Sequence, residues 1–291
     1  MARRSRRVGH RTRPLGRVAL TVIGSFVRSA LAATFLSYAS LAAASQPSLA
    51  GRGVEGADLI DDLQLRGKLF HVQGVDFDTH RIWVTSVDRK HRRGFLSEFD
   101  RATGALLRRV DLTDGVRYHP GGIAAFGHSI WVPVAEYKPN SSAVLEEIDT
   151  DTLQVRRRIL VADHLGCVAA SASNLIAGNW DSKLLYVFDL GADNAVHIVP
   201  NPSRTRYQDM KLVDGDLIAS GTLTRSRGEI DWIDWRSMTL SHSLRSGKTT
   251  PSTPSGNVSL YTRAGMTIAG HELYLVPLDG PSRMFHFRIQ D

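Results

Sequence analysis

The chain has 291 residues, a formal net charge of +7 at neutral pH and a single cysteine. The basic excess is confined to the first fifty residues, which hold eight arginines and no acidic residue, so the remainder is nearly neutral. That remainder lacks the basic surface expected of a nucleic-acid-binding domain, and one cysteine excludes an internal disulfide.

The first fifty residues have the features of an export signal. An arginine-rich start leads into an apolar segment over residues 18–41, and the small residues 42–45 (AAAS) then suit signal-peptide cleavage. We expect residues 1–50 to form a signal peptide or a membrane-anchor segment, helical or disordered, that gives the chain its only membrane contact. The predicted location is outside the cytoplasm: extracellular, periplasmic or in the cell envelope.

A short phrase recurs five times in the rest of the chain. Each copy has an apolar residue and, eight positions later, a second apolar or aromatic residue, with turn-forming residues such as Asp214-Gly215 between them. The pairs are Val75 and Trp83, Ile123 and Trp131, Val168 and Ile176, Met210 and Ile218, and Met266 and Tyr274. This spacing predicts two short strands joined by a tight hairpin in each copy.

Two further strands follow each hairpin. In four copies the third strand ends in an apolar residue and an aspartate, and an arginine-rich fourth strand comes next. These aspartates, expected to cap turns, are Asp100, Asp149, Asp189 and Asp234. Four-stranded repeats spaced 42 to 56 residues apart are typical of β-propeller blades. The sequence predicts an all-β, five-bladed propeller with four-stranded antiparallel blades over residues 63–291, after a linker at 51–62.

The last copy contains three strands, whereas residues 63–70 (LQLRGKLF) match the fourth-strand pattern. We expect this N-terminal strand to complete the last blade and close the ring, which leaves few open sheet edges. Trp83 and Trp131 are expected to pack between blades, and Cys167 is expected to be a buried core thiol.

One repeat segment carries a resemblance to a known superfamily. The sequence FDRATG at residues 99–104 resembles the repeat motif of exported propellers in the broad quinoprotein-like (YVTN-like) superfamily, including members of unknown function. The resemblance covers about residues 60–291 and implies the propeller fold. It implies no catalytic residue, because neither the tryptophan-rich docking motif of the pyrroloquinoline-quinone enzymes nor the calcium ligands of the sugar-lactone hydrolases are matched here.

Candidate functional residues occur where each inner strand begins and each second strand ends. In a propeller these positions lie on one face, beside the central channel. They hold three histidines, His71, His119 and His164, and four acids, Asp88, Glu136, Asp181 and Asp279.

Two interpretations of the histidines stay open. The favoured one is a structural His–carboxylate pair within each blade, because residues repeated blade by blade usually stabilise the blade. The pairs would be His71 with Asp88, His119 with Glu136, and His164 with Asp181. The other is a site in which the three imidazoles bind a divalent metal such as zinc or manganese, with Glu136 or Asp209 as the catalytic base. No cofactor is certain from the sequence, and a divalent metal is one candidate.

Blade four departs from the repeat, and departures are often where function lies. It has Arg206-Tyr207-Gln208-Asp209 in place of the His-x-Gly pattern, and Leu223-Thr224-Arg225 in place of the acid. The candidate ligand-binding residues are Asp88, Trp180, Asp181, Arg206, Tyr207, Asp209, Arg225 and Asp279.

The first functional hypothesis is an exported propeller that binds a small anionic or sugar-like ligand, or a peptide segment, on the channel face. The alternative is a metal-assisted hydrolase or lactonase-type enzyme that uses the His and carboxylate set. A scaffold role in the cell envelope is a further alternative.

Overall fold

The computed structural model describes residues 53–249 and 258–290, so the predicted signal or anchor segment lies outside the described residues. Within these two ranges the regular structure is entirely β-strand, and no helix suited to crossing a membrane occurs there. The strands form five antiparallel sheets, which confirms the predicted five-bladed propeller.

In each blade the first strand is the innermost and the last is the outermost. The first blade consists of β2 (His71–Phe77), β3 (Arg81–Asp88), β4 (Arg93–Asp100) and β5 (Leu106–Asp111). The second consists of β6 (Arg117–Pro120) and β7 (Ala124–Phe126), β8 (Ser129–Glu136), β9 (Ala143–Asp149) and β10 (Val155–Val161). The third consists of β11 (Leu165–Ala170), β12 (Asn174–Asn179), β13 (Leu184–Asp189) and β14 (Ala195–Pro200).

The last two blades follow the same plan. The fourth blade consists of β15 (Arg206–Val213), β16 (Asp216–Thr224), β17 (Arg227–Asp234) and β18 (Thr239–Ser246). The fifth consists of β19 (Gly265–Ala269), β20 (Glu272–Val276), β21 (Arg283–Ile289) and, from the N-terminal side, β1 (Ala57–Gln64).

Strand β1 closes the ring, as predicted, but it lies earlier in the sequence than the predicted segment 63–70. It pairs antiparallel with β21, from Ala57 opposite Ile289 to Gln64 opposite Arg283. Residues 57–62, which the sequence suggested as a linker, are therefore strand. Leu65 and Leu69, from the predicted segment, instead pack into the buried cluster between the fifth and first blades.

The hydrophobic core lies between neighbouring blades. Five buried clusters are present among the described residues, and each combines side chains from two adjacent blades. Trp83 of the first blade packs with Ile123 and Ile130 of the second, and Trp131 of the second packs with Val168 of the third. Middle strands are consequently buried on both faces, and the predicted inter-blade role of these tryptophans is confirmed.

The aspartates at the ends of the third strands cap turns, as predicted. Asp100 Oδ1 accepts hydrogen bonds from the backbone N–H and the hydroxyl of Thr103, at 2.8 and 2.6 Å. Asp234 Oδ1 likewise accepts from the N–H groups of Arg236 and Ser237. These bonds favour the ionised form and hold the pKa of both carboxyls below the ordinary value. The repeated aspartates therefore serve the turns.

A buried ion pair lies where the five inner strands meet. Asp209, with 0% exposure, accepts hydrogen bonds from the N–H groups of Val75 in the first blade, at 2.9 Å, and Met266 in the fifth, at 3.0 Å. Lys211 Nζ lies 2.8 Å from Asp209 Oδ1 and donates to the Ile123 carbonyl of the second blade at 2.7 Å. This pair links the first, second, fourth and fifth blades.

Glycines allow the inner strands to approach each other closely at this level. A Cβ atom on Gly74 would lie 2.6 Å from Gly122 Cα. A Cβ on Gly122 would overlap the carbonyl oxygen of Gln208 and lie 2.8 Å from Asp209 Cα. Any larger residue would therefore separate the strands.

We expect Asp209→Asn to lower the free energy of unfolding by about 3–5 kcal/mol, because it leaves the Lys211 ammonium buried without its anion. The double variant Asp209→Asn/Lys211→Met should lose less than the sum of the two single variants. Urea unfolding followed by tryptophan fluorescence measures both, with Asp193→Asn on an exposed turn as the control. A loss below about 1 kcal/mol for Asp209→Asn would contradict this structural role.

We expect Gly122→Ala to destabilise the fold by about 1–3 kcal/mol, because its methyl group overlaps backbone of the fourth blade. Gly166→Ala is the matched control, since its Cβ would meet nothing nearer than the Asn179 carbonyl oxygen at 3.7 Å. Equal unfolding midpoints for the two variants would show that the inner strands are not closely packed at Gly122.

Candidate functional site

A cavity of about 310 Å³ opens where the inner strands begin. Seven of the predicted site residues line it: His71, His119, His164, Trp180, Asp181, Arg206 and Tyr207. Gln73, Tyr137, Gly166, Gln208 and Thr222 complete the lining. Residues of four blades that are distant in sequence thus share one site.

Bulges in the inner strands shape this lining. The pairing register shifts between Val72 and Val75, between Leu165 and Cys167, and between Tyr207 and Asp209. The residues inside these shifts include Gln73, Gly166 and Gln208, all of which line the cavity. β-bulges re-aim side chains in this way. In the fifth blade β19 pairs without a shift, and no described residue of that blade lines the cavity.

The histidines do not pair with the acids of their own blades, so the predicted pairing within each blade is wrong. His71 Nδ1 lies 3.0 Å from Asp279 Oδ1 in the fifth blade, which also accepts the Val72 N–H. The His164 ring hydrogen-bonds through Nδ1 to the backbone carbonyl of Glu136, at 2.8 Å. The His119 Nδ1 atom is buried and has no hydrogen-bond partner among the described residues.

The acids take partners from their own loops instead. Asp88 Oδ2 lies 2.7 Å from His91 Nδ1, and the carboxylates of Glu136 and Asp181 lie 2.9 and 2.6 Å from the ammonium groups of Lys138 and Lys183. These contacts lower the pKa of all three carboxyls. The reason is geometric: each second strand ends in a loop whose next few residues include a basic side chain.

The two proposed catalytic bases, Glu136 and Asp209, are absent from the described lining of the cavity. Glu136 is ionised and bound by Lys138 and Ser142, while Asp209 is enclosed at the axis. Burial raises the pKa of Asp209 to about 6, although Lys211 and the two amides oppose the shift. Both residues thus serve local structure here, and the prediction of a catalytic base is not supported by their positions.

Of four further predicted ligand residues, three lie outside the lining and one is part of it. Asp279 and Asp88 lie outside the lining, and Asp279 reaches the cavity only through His71. Arg225 is exposed in the hairpin after β16 and does not line the cavity. Arg206 does line it, is exposed and forms no ion pair with any described residue. Arg206 is therefore the unmatched positive charge of the lining.

Four rings form what we call the aromatic cluster: His119, Tyr137, His164 and Trp180. Ring centroids are 4.3 Å apart for His119 and Tyr137 and 4.5 Å apart for His164 and Trp180, both in edge-to-face geometry. Trp180 is 40% exposed, unlike the buried Trp83 and Trp131. The cluster presents apolar surface to the cavity beside polar groups.

Burial keeps the two inner imidazoles neutral. Burial first, and then the neighbouring charges of His164, His71 and Arg89, hold the pKa of His119 well below its ordinary value. Burial also lowers the pKa of His164, although its hydrogen bond to the Glu136 carbonyl opposes the shift. A neutral imidazole has one donor and one acceptor nitrogen, so each of the two rings can donate one hydrogen bond and accept another.

Cys167 is fully buried, and burial raises its pKa to about 12, which confirms the predicted core thiol. Among residues 53–249 and 258–290, no group of three or more His, Cys, Asp or Glu side chains is arranged to hold a metal ion. The three histidines line one cavity without forming such a group.

Sequence reasoning missed Gln73, Tyr137, Gln208 and Thr222. The sequence does contain an indication for Gln73, because a large polar residue lies between the apolar residues Val72 and Val75 of a buried strand. The sequence contains no such indication for Tyr137, because this residue lies in a loop outside the repeated phrase.

Together these features define a five-bladed β-propeller with a polar and aromatic cavity at one end of its inner strands. The model of a family of unknown function (DUF6454) matches residues 90–225. No curated protein matches the chain.

Two solved structures have a similar fold at low identity. One is the Neurospora crassa Pan2 WD40 domain, with 8% identity, a TM-score of 0.46 and coverage of 83% of this chain and 97% of that chain. The other is described as the mitotic checkpoint complex, with 9% identity, a TM-score of 0.46 and coverage of 94% and 100%.

We expect stability to fall as the pH drops below about 6.5, because the unfolded chain then binds protons that the folded His119 and His164 resist. Each such histidine contributes a slope of up to about 1.4 kcal/mol per pH unit. Urea unfolding between pH 7.5 and 5 measures this slope, which His119→Gln should reduce. His128→Gln is the control, since His128 is 82% exposed. An unchanged slope in His119→Gln would contradict a neutral buried His119.

Proposed function

We propose that this protein is an exported binding propeller that holds a small anionic or sugar-like ligand in the cavity. One observation supports this most directly. Gln73 and His119 line the cavity and are only 6% and 8% exposed; the His119 Nδ1 atom is buried without a hydrogen-bond partner, and no described residue hydrogen-bonds to the Gln73 amide group. A polar side chain that lines a cavity and has no partner in the protein is free to hydrogen-bond to a bound molecule, so the Gln73 amide group favours a ligand at this position.

The remaining lining suits such a ligand. Arg206 offers a guanidinium that forms no ion pair with a described residue, and guanidinium groups bind carboxylates through two parallel hydrogen bonds. The aromatic cluster offers an apolar surface. At about 310 Å³ the cavity is at the lower end of the range for small-molecule sites, which favours a small ligand over a peptide segment.

Export is supported by the sequence of residues 1–50 and by the resemblance to exported quinoprotein-like propellers. The hydrolase alternative needs three imidazoles around one ion, with Glu136 or Asp209 as the base beside them. No group of three such metal-binding side chains occurs among the described residues, and neither Glu136 nor Asp209 is part of the described lining, so no observation favours that alternative over binding.

The test is a titration of the full chain with monosaccharides, sugar acids and small carboxylic acids. Trp180 lines the cavity, whereas Trp83, Trp131 and Trp232 are buried and the half-buried Trp235 is not part of the described lining. A bound ligand should therefore change fluorescence in the wild type and not in Trp180→Phe.

For any compound that binds, Gln73→Ala should weaken affinity about 2–10-fold, which is the worth of one neutral hydrogen bond. Gln154→Ala, on an exposed turn, is the matched control and should bind like the wild type. Calorimetry supplies both affinities. Equal affinities for Gln73→Ala and Gln154→Ala would place the ligand elsewhere, and an absence of binding across the whole panel would overturn the proposal.

A further inference from the structure

We infer that the ligand is a hexuronate, a monosaccharide ring that carries one carboxylate. This inference rests on the proposed function and names the substrate class of the same cavity. Three features of the lining carry it: side chains that both donate and accept hydrogen bonds, one unmatched positive charge, and an exposed aromatic wall.

The polar side chains of the lining favour hydroxyl groups. Gln73, Gln208, Thr222 and the neutral His119 each contain a hydrogen-bond donor and an acceptor. A sugar hydroxyl also donates and accepts, so it can satisfy both kinds of atom. A fully deprotonated inorganic anion such as sulfate only accepts hydrogen bonds, so it would leave the acceptor atoms of these side chains without a donor. The lining therefore fits a polyhydroxylated molecule better than a simple anion.

The charge of the lining favours one carboxylate. Asp181 is balanced by Lys183 at 2.6 Å, which leaves the Arg206 guanidinium as the unmatched charge. Two further arginines lie near the cavity: the Arg89 guanidinium lies 5.3 Å from the centroid of the Tyr137 ring, and Arg263 lies 3.8 Å from Asp279. Neither is part of the described lining. One guanidinium matches one carboxylate, whereas a phosphate dianion would call for more positive charge.

The aromatic wall favours a ring. Trp180 and Tyr137 both line the cavity, with ring centroids 6.2 Å apart. Trp180 keeps 40% of its surface exposed, although its indole is large and apolar. The C–H face of a pyranose ring is the apolar side of a sugar and can cover such a surface while its hydroxyls meet the amides. Short linear hydroxy acids have no comparable face.

Calorimetric titration of the full chain tests the inference with matched pairs: D-glucuronate against D-glucose, D-galacturonate against D-galactose, and D-mannuronate against D-mannose. Lactate and benzoate are the non-sugar carboxylates. We expect at least one uronate to bind roughly 10–100-fold more tightly than its neutral partner, as a charged hydrogen bond predicts. It should also bind more tightly than lactate or benzoate.

Arg206→Gln should remove most of the difference in affinity between the uronate and its neutral sugar. Arg225→Gln should keep that difference, because it changes an exposed arginine outside the cavity. Gln208→Ala should weaken the uronate and the neutral sugar alike. Circular dichroism confirms that each variant is folded.

The outcomes separate the inference from the proposed function. Equal binding of a uronate and its neutral sugar, or an unchanged preference in Arg206→Gln, would overturn the hexuronate while the binding function stands. If lactate or benzoate binds as tightly as every uronate, the inference that the ligand contains a sugar ring is overturned. If no compound binds to the wild type, both proposals fail.

Discussion

The structure depends on the ion pair between Asp209 and Lys211 at the propeller axis. Asp209 accepts hydrogen bonds from backbone amides of the first and fifth blades, and Lys211 donates one to a backbone carbonyl of the second blade. A buried pair of charges is costly unless its hydrogen bonds are complete, and here the partners are supplied by strands from other blades. The pair therefore requires strands of four blades to be assembled around it. Gly74 and Gly122 permit the close approach, and Gln73 and Gln208, next in sequence to Gly74 and Asp209, line the cavity.

Strand β15 shows how one short segment serves both the core and the cavity. Its first four residues read RYQD, and a register shift lies between Tyr207 and Asp209. Arg206 and Gln208 line the cavity, while the Tyr207 hydroxyl donates to the buried Asp231 at 2.7 Å and Asp209 lies at the axis. The departure of blade four from the repeat is thus partly structural and partly the source of the cavity's unmatched charge.

The repeat predicted the blades because every copy obeys the same local physics. The two apolar positions eight residues apart lie on the two paired strands of a hairpin, and the four aspartates cap turns. The partners of the histidines could not be predicted in this way. His71 contacts Asp279 across the ring closure, 208 residues away. A sequence repeat shows which positions of the blades are equivalent, but it does not show which side chain of a neighbouring blade each position contacts. Bulges are the second reason, because they break the two-residue alternation that would have shown Gln73 facing the cavity.

Equivalent positions in a repeat need not have equivalent chemistry. His71, His119 and His164 occupy the same place in three blades, yet one meets a carboxylate, one a backbone carbonyl, and one no described partner. The first two rings are held by the protein, so their imidazoles help to shape the cavity wall. His119 is buried and neutral beside Tyr137, and it lacks such a partner. Desolvation without compensation is unfavourable for a polar ring, so the cost at His119 is offset most directly by a bound group that hydrogen-bonds to it. Of the three histidines, His119 therefore has the fewest hydrogen bonds to the protein, although its ring packs against Tyr137, His164 and Trp180.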